Sequence, residues 1–310
     1  MPFHSPAVWI GFTVLVLGLL ALDLGVLNRR AHVLNMREAS VWSASIVAIA
    51  LAFGTFLWWR EGGKVALEYY TGYLIELSLS VDNLFVFILI FQYFAVPPEL
   101  QPRVLKYGIL GAIIMRGVMI ALGALLLQRF NWIIYVFGGL LIVTGIRMLK
   151  GAEGRLEPEK NPIVRIARKL IPVTTAYEAQ SFLVKNQVGW HATPLLLVVL
   201  LVEWSDLVFA IDSIPAIFAV TRDPFIIYSS NIFAILGLRA LFFVLAGAMD
   251  RFVHLKTGIA GILVFVGSKM VLSAWFHLPT GISLAVIVLF LATAIWASIR
   301  HTEEDATLEG

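Results

Sequence analysis

The stretch LVEWSDLVFAIDSIPAIFAV (201–220) carries three carboxylates, Glu203, Asp206 and Asp212, inside an otherwise apolar run. A second apolar run, ELSLSVDN (76–83), holds Glu76 and Asp82 with Asn83 beside them. Carboxylates, side-chain amides and backbone carbonyls are hard oxygen donors. Gathered away from water, they suit Mn2+, Ca2+ or Mg2+. A buried carboxylate also takes up protons more readily, so protons would compete with a metal for the same oxygens. Zinc or copper would recruit His or Cys. The chain has no cysteine, and none of its histidines (4, 32, 191, 254, 277 and 301) falls in the middle of an apolar run. Met115, Met119 and Met270 are scattered and read as packing.

Spacing says which acids can meet. Glu203 and Asp206 are three apart and share a helix face. Asp212 lies about 9 Å further along and is turned by roughly 120°. An unbroken helix would not gather all three. Pro215 cannot donate to the carbonyl of Ile211. It predicts a helix break near Ile211–Asp212 that frees carbonyl oxygens and re-aims Asp212. The first acidic run has no proline at the matching place; a break there is expected within LSLSVDN.

The elements that must position these groups are membrane helices. Of 310 residues, 60% are hydrophobic and 14% charged, against about half and a quarter in soluble domains. Apolar stretches near the ~20 residues that cross a bilayer fall at 7–27, 40–59, 66–94, 104–127, 132–149, 192–220, 226–249, 257–275 and 281–299. The expected fold is therefore all-α, a polytopic membrane protein of nine transmembrane helices. The first run lacks preceding Lys or Arg and is followed by Arg29 and Arg30, so it reads as a retained span rather than a secretory signal. Basic residues set the orientation. With the N-terminus outside, Arg29, Arg30, Arg37, Arg103, Lys106, the basic residues of 150–191, Arg251, Lys256 and Arg300 all fall on the inner side. Only Arg60, Lys64, Arg129 and Arg222 fall outside. The C-terminal tail 300–310 is then cytoplasmic, polar and expected to be disordered. The cytoplasmic loop 150–191 contains IVRIARKL (163–170), which reads as an interfacial amphipathic helix on anionic lipid. A docking site for a soluble partner is the other reading.

The middle of the chain repeats itself. ELSLSVDN from Glu76 faces DLVFAIDS from Asp206, matching Asp82 to Asp212 and Asn83 to Ser213. MRGVMIALGALL faces LRALFFVLAGAM, matching Arg116 to Arg239. RFNWIIYVFGGLLIVTGIRM (129–148) aligns without gaps to RFVHLKTGIAGILVFVGSKM (251–270). Repeat 1 is then 66–149 and repeat 2 is 192–275, behind two leading helices (7–59) and before a last helix (281–299). Each repeat holds three spans, an odd number, so the second must cross upside down. Inverted repeats are a recurring build of secondary transporters, with the site where the units meet.

An intramembrane carboxylate costs about 2.5–3.5 kcal/mol on insertion scales. Asp23, Glu76, Asp82, Glu203, Asp206 and Asp212 must therefore be paired, protonated, hydrated or cation-bound. Arg116 and Arg239 are the charge-balancing candidates, each expected to neutralise one acid. Arg147 and Lys269 occupy corresponding places and suggest a shared packing role. Asp23 either pairs with a basic loop residue or joins the ion path. Asp223 and Asp250 read as solvated loop acids. The rival functions are a membrane scaffold or metal-loading assembly factor, and an intramembrane aspartyl enzyme. The chain lacks GxGD, HExxH, GxSxG and P-loop patterns, which argues against an enzyme. Nothing in it points to nucleic acid.

ELSLSVDNLFVF, EWSDLVFAIDSIPAIFAVTRDPFIIYSSNIFAILGLR and ALDLGVLNRRAH together resemble the TerC family of bacterial and plastid membrane proteins, and within it the Alx-like branch. The resemblance spans roughly residues 7–300. It implies efflux of manganese across the inner membrane, links to alkaline-pH response or to metal loading of secreted enzymes, and a fold of inverted three-helix repeats. The acids the family implicates fall on Asp23, Glu76, Asp82, Glu203, Asp206 and Asp212. Tellurium resistance, the family's label, finds no oxyanion site here.

Overall fold

Prolines mark where helices begin. A missing backbone N–H costs nothing in the first turn. In the computed structural model, α1 (Pro6–Ala21), α4 (Gln101–Arg129), α6 (Pro162–Leu170), α7 (Pro194–Phe218) and α8 (Pro224–Ala246) each start with proline at the first or second position. The remaining helices are α2 (Met36–Glu61), α3 (Gly63–Tyr93), α5 (Ile133–Leu149), α9 (Leu255–Val271) and α10 (Thr280–Leu308). A single residue, Gly62, separates α2 from α3. Its φ of 96° is a left-handed conformation that glycine adopts at no steric cost. The structure describes residues 6–23, 36–130, 132–150, 162–174, 176–186, 189–246, 254–275 and 278–308.

The chain is essentially all-helical. Among the described residues, six helices are long and apolar enough to cross a membrane: α2, α3, α4, α7, α8 and α10. The apolar helices α1 and α5, together with α9, are shorter. Each apolar run read from the sequence overlaps one helix, but the length and apolar character of a span belong to six of them rather than to the nine expected. The ends differ too. The tail expected to be disordered continues α10 to Leu308, because Glu303, Glu304, Ala306 and Leu308 bring no helix breaker. The segment between α5 and α7 also holds strands that periodicity does not reveal. Leu183–Asn186 (β1) pairs antiparallel with Gly189–Ala192 (β2), placing Lys185 opposite Trp190. Four-residue strands are too short to show alternation.

Contacts fix the relative directions of the helices. α3 and α8 run the same way: Gly72 lies against Ser230, Glu76 bonds Asn231, and Phe91 meets Phe242 edge-on at 5.3 Å. α4 and α7 also run together, with Gly108 against Val202, Arg116 bonded to Asp206 and Gly123 against Phe218. α3 and α7 run oppositely, since Gly72 touches Ile217 while Asn83 reaches Asp206. α5 and α9 cross in opposite directions through glycines. A Cβ at Gly138 would stand 2.8 Å from the carbonyl oxygen of Gly267, and one at Gly145 the same distance from that of Ala260. Small residues let membrane helices approach this closely and gain dispersion contacts that lipid would otherwise supply. The helices of the two acidic runs, α3 and α7, are thus brought side by side and held by their flanking partners.

Candidate functional site

Four helices converge on one guanidinium. Arg116, fully buried on α4, donates through Nε to Asp206 Oδ2 (3.3 Å) and through Nη2 to Asp206 Oδ1 (2.9 Å). Its Nη1 donates to Glu76 Oε1 on α3, to Asn231 Oδ1 on α8 (3.0 Å) and to Ser213 Oγ on α7 (3.4 Å). Asn231 also donates to Glu76 Oε2 at 3.0 Å. Asn83 donates to Asp206 Oδ1 at 3.4 Å, while its own Oδ1 is buried without a partner. The Ser80 hydroxyl is likewise buried and unpartnered. The planar fork of arginine suits this task, because it can serve two carboxylates at once. Two carboxylates against one guanidinium leave the cluster short of positive charge when both are ionised.

The single-acid expectation for Arg116 is therefore corrected: it binds Glu76 and Asp206 together, since both helices place their acid at the level of its fork. Arg239, the matching residue on α8, takes one. Its Nη2 donates to Asp23 Oδ1 (2.5 Å) and to the Asp23 backbone oxygen (3.1 Å). Asp23 thus pairs with a mid-helix arginine, not with a basic loop residue. Helix α1 passes into a π-turn at Leu22–Asp23, which presents that carboxylate to α8. Arg239 Nε and Nη1 are buried with no hydrogen-bond partner, and the Trp42 indole lies beside the Asp23 carboxylate, outside strict hydrogen-bond geometry. A cavity of about 10 Å³ touches both Asp206 and Arg239, otherwise walled by apolar groups such as Phe87, Leu105 and Val202. That is about the room one water needs.

The other predicted residues stand apart. Glu203 lies one turn before Asp206 and rests its carboxylate against Gly111 of α4, where an added methyl would push it aside. Asp212 turns to α5 and accepts a hydrogen bond from Thr144 at 3.1 Å. The break expected at Pro215 is absent: α7 stays helical through Asp212 to Phe218. Pro215 lies in the last turn, where little helix remains to be disrupted. α3 is equally unbroken across LSLSVDN, and Ser78 donates back to the Leu74 carbonyl. The side chain of Asp82 lies outside the described residues, as does Arg251 of the aligned repeat. Among the described residues, no three of His, Asp and Glu are arranged to hold a metal.

Two features escape a reading of the sequence. Asn231 bridges Glu76 and Arg116, yet a lone asparagine in SSNIF carries no charge signal. Glu68 on α3 accepts from Thr221 at 2.7 Å and lies near Lys269. Arg147, its supposed counterpart, is exposed, so the shared role is not seen.

Long apolar helices around a buried, charged, many-helix knot define a multi-span integral membrane protein. The chain belongs to the integral membrane protein TerC family, whose profile matches residues 61–306. It is 50% identical over 303 residues to an uncharacterized membrane protein of Myxococcus xanthus, covering 98% of this chain and 95% of that one. It is 46% identical over 313 residues to the "Putative membrane-bound redox modulator Alx" of Escherichia coli K12, covering 97% and 98%. A Rickettsia felis membrane protein is 42% identical over 291 residues, covering 94% and 97%. No solved structure matches the chain.

Proposed function

We propose that the chain is a transporter, not an enzyme, that exports a divalent metal cation from the cytoplasm. Mn2+ is the first choice, with Ca2+ and Mg2+ as alternatives. One observation carries this reading: Glu76 and Asp206, the leading acids of the two similar segments, meet on the same guanidinium with Asn231, Ser213 and Asn83 around them. Those groups supply only hard oxygens. Arg116 holds their charge while no metal is there. A metal entering this set would replace the guanidinium as the counter-charge, and Glu203 and Asp212 on the same helix would supply further carboxylates along its way. A proton on these oxygens would oppose the metal, which makes proton antiport the natural coupling.

The inverted repeat is the scaffold of this proposal. With 129–148 aligned to 251–270, Gly145 corresponds to Gly267 and Gly138 to Ala260. The contact Gly138–Gly267 then has Gly145–Ala260 as its symmetry mate, and both close approaches occur. Corresponding helices α5 and α9 run antiparallel, as do α3 and α7, while α3 parallels α8 and α4 parallels α7. These relative directions are those that nine alternating spans would give; the basic residues of the sequence are what favour an outside N-terminus, an inside C-terminus and the inner membrane. The name of the Escherichia coli relative concerns redox. Thiol exchange would need a cysteine that this chain lacks.

Mn2+ flux into proteoliposomes tests the reading. Wild-type protein is expected to carry Mn2+, and Asp206→Asn, reconstituted to the same density, to carry none. Equal flux in the two would overturn the proposal in favour of a scaffold or assembly role.

A further inference from the structure

The connection between α5 and α7 is built into the end of the helix bundle. Arg103 at the start of α4 donates to Gln180 at 2.9 Å and lies over the Phe182 ring. Phe182 meets Tyr107 edge-on at 4.9 Å. Tyr177 donates to the Phe94 carbonyl at 2.7 Å, and burial pushes its phenol above the ordinary range, so that donor stays in place. The β-hairpin and α6 are thus fixed where α3 ends and α7 begins, which is where a membrane helix meets the headgroups.

Helix α6 is amphipathic in an unusual direction. It buries Val164 against the protein. Its apolar stripe, however, faces away: Ile166 is 55% exposed and Leu170 75%. Arg165 and Lys169 border that stripe, while Arg168 stands on the other side of the helix, on the face of Val164. On the hairpin, Lys185 and an exposed Trp190 stand opposite each other. Tryptophan beside lysine is the residue pair of a membrane interface. Among the described residues of 162–192, four basic side chains face a single acid, Glu178. Between α6, the end of α3 and the start of α7 lies a groove of about 620 Å³. Arg168 lines it from the protein-facing side of α6, and Phe94, Val173 and Leu197 form apolar wall.

We infer that this face is an anionic-phospholipid site: α6 lies in the interface with Ile166 and Leu170 among the acyl chains, and Arg165 and Lys169, beside that stripe, hold a lipid phosphate. The charge complements an anionic headgroup. The exposed stripe needs an apolar phase beside that headgroup, and a phospholipid supplies both from one molecule. A free phosphate would satisfy Arg165 and Lys169 alone and leave the stripe in water. The site is independent of the metal path, because none of its residues touches the Arg116 cluster.

Native mass spectrometry of the full-length protein, titrated with phosphatidylglycerol or phosphatidylcholine, tests this. The wild type is expected to retain phosphatidylglycerol in preference to phosphatidylcholine. Arg165→Gln should weaken that retention about fivefold, and neutralising Arg165, Arg168 and Lys169 together about a hundredfold, following the attraction per charge at a membrane surface. Ile166→Ser with Leu170→Ser should weaken it with all charges kept. Arg222→Gln, an equal loss of charge elsewhere, should change nothing. Thermal unfolding of each variant in neutral detergent identifies any that fails to fold, and the Ser pair and the Arg165 variant then stand as separate tests. Undiminished retention in the folded triple variant overturns the site. So does an equal effect of Arg222→Gln. Competition by inorganic phosphate as effective as that by lipid would mean a phosphate site, and absence of any anionic preference would leave the face to a protein; either result refutes the inference.

Discussion

Arg116 and Arg239 occupy matching places in two similar segments, and both are buried. Their surroundings differ. All three nitrogens of Arg116 are bonded, to two carboxylates, an amide and a hydroxyl. Only one nitrogen of Arg239 is bonded, to Asp23, and its Nε and Nη1 are orphaned. The two segments carry the same charge at this place, but its neighbours differ. Glu76 and Asp206 both turn to the first arginine, and the second pairs with an acid on α1. Similar sequence segments thus carry an asymmetric charge arrangement. One arginine knots four helices together, while the other ties down the leading helix and keeps spare donors beside a cavity that reaches Asp206.

The largest effect expected is that of Arg116→Ala. It leaves two buried carboxylates without a counter-charge, and breaking a buried pair from one side costs about 3–5 kcal/mol. Thermal unfolding in detergent should show a deeper drop in midpoint than for any other single substitution at a buried charge. Arg116→Lys keeps the charge but not the fork, and should fall between. Added Mn2+ should restore part of the loss in Arg116→Ala, because a cation can take the vacated place. Arg239→Ala strands one carboxylate and should cost less, about 1.5–3 kcal/mol, the range for a hydrogen bond to a charged group. Replacing Asp23 and Arg239 together by leucine should be close to neutral, as such pairs often are. A loss for Arg239→Ala equal to that for Arg116→Ala would erase the distinction between the two sites.

Much of this is legible in the residues. Apolar runs of span length mark every long helix, because lipid allows few other solutions for the backbone. The acids and the two arginines are conspicuous because charge in such runs is costly. Which arginine serves which acid is not legible. Pairing depends on the rotation of each helix about its axis, and apolar faces turned to lipid do not fix that rotation. Asp23 illustrates the point: its partner lies 216 residues away on α8. Proline misleads for a different reason. Pro215 reads as mid-span in the sequence, but it stands three residues from the end of α7, where a missing donor disturbs little. Asn231 and Thr144 escape notice because neutral polar residues are common in membrane helices and carry no signal until a charged partner is found.

The scaffold side of the comparison can be strained at the α5–α9 crossing. Gly267→Ala puts a Cβ 2.7 Å from the Gly138 carbonyl oxygen. Overpacking of this kind costs about 1–3 kcal/mol. Gly138→Ala should cost a similar amount. The double variant should cost less than the sum, since helices already spread by one methyl make room for the other. Gly139→Ala is the internal control: nothing lies within 4 Å of its added Cβ, and alanine is the better helix former by about 1 kcal/mol. It should leave stability unchanged or raise it. Additive losses at 138 and 267 would mean that the two glycines do not share one close contact.

The smallest effect belongs to Asp212, which has a neutral partner where Asp206 has a charged one. Thr144→Val keeps the shape and removes the single hydroxyl that donates to Asp212. The loss should be about 1 kcal/mol, an ordinary hydrogen bond. A double-mutant cycle of Thr144→Val with Asp212→Asn in the same unfolding assay isolates the coupling. It should be small, well below that of Glu76→Gln with Arg116→Gln. The physical point is the difference in tethering. Asp206 is clamped by two nitrogens of an immobile guanidinium, whereas one hydroxyl on a rotatable side chain holds Asp212. On the transport reading proposed above, a carboxylate held that weakly can turn toward a cation, and Thr144→Val should leave Mn2+ flux near the wild-type rate. A collapse of flux in that variant would show that Asp212 must be held in place, and that the two ends of α7 differ less than their partners suggest.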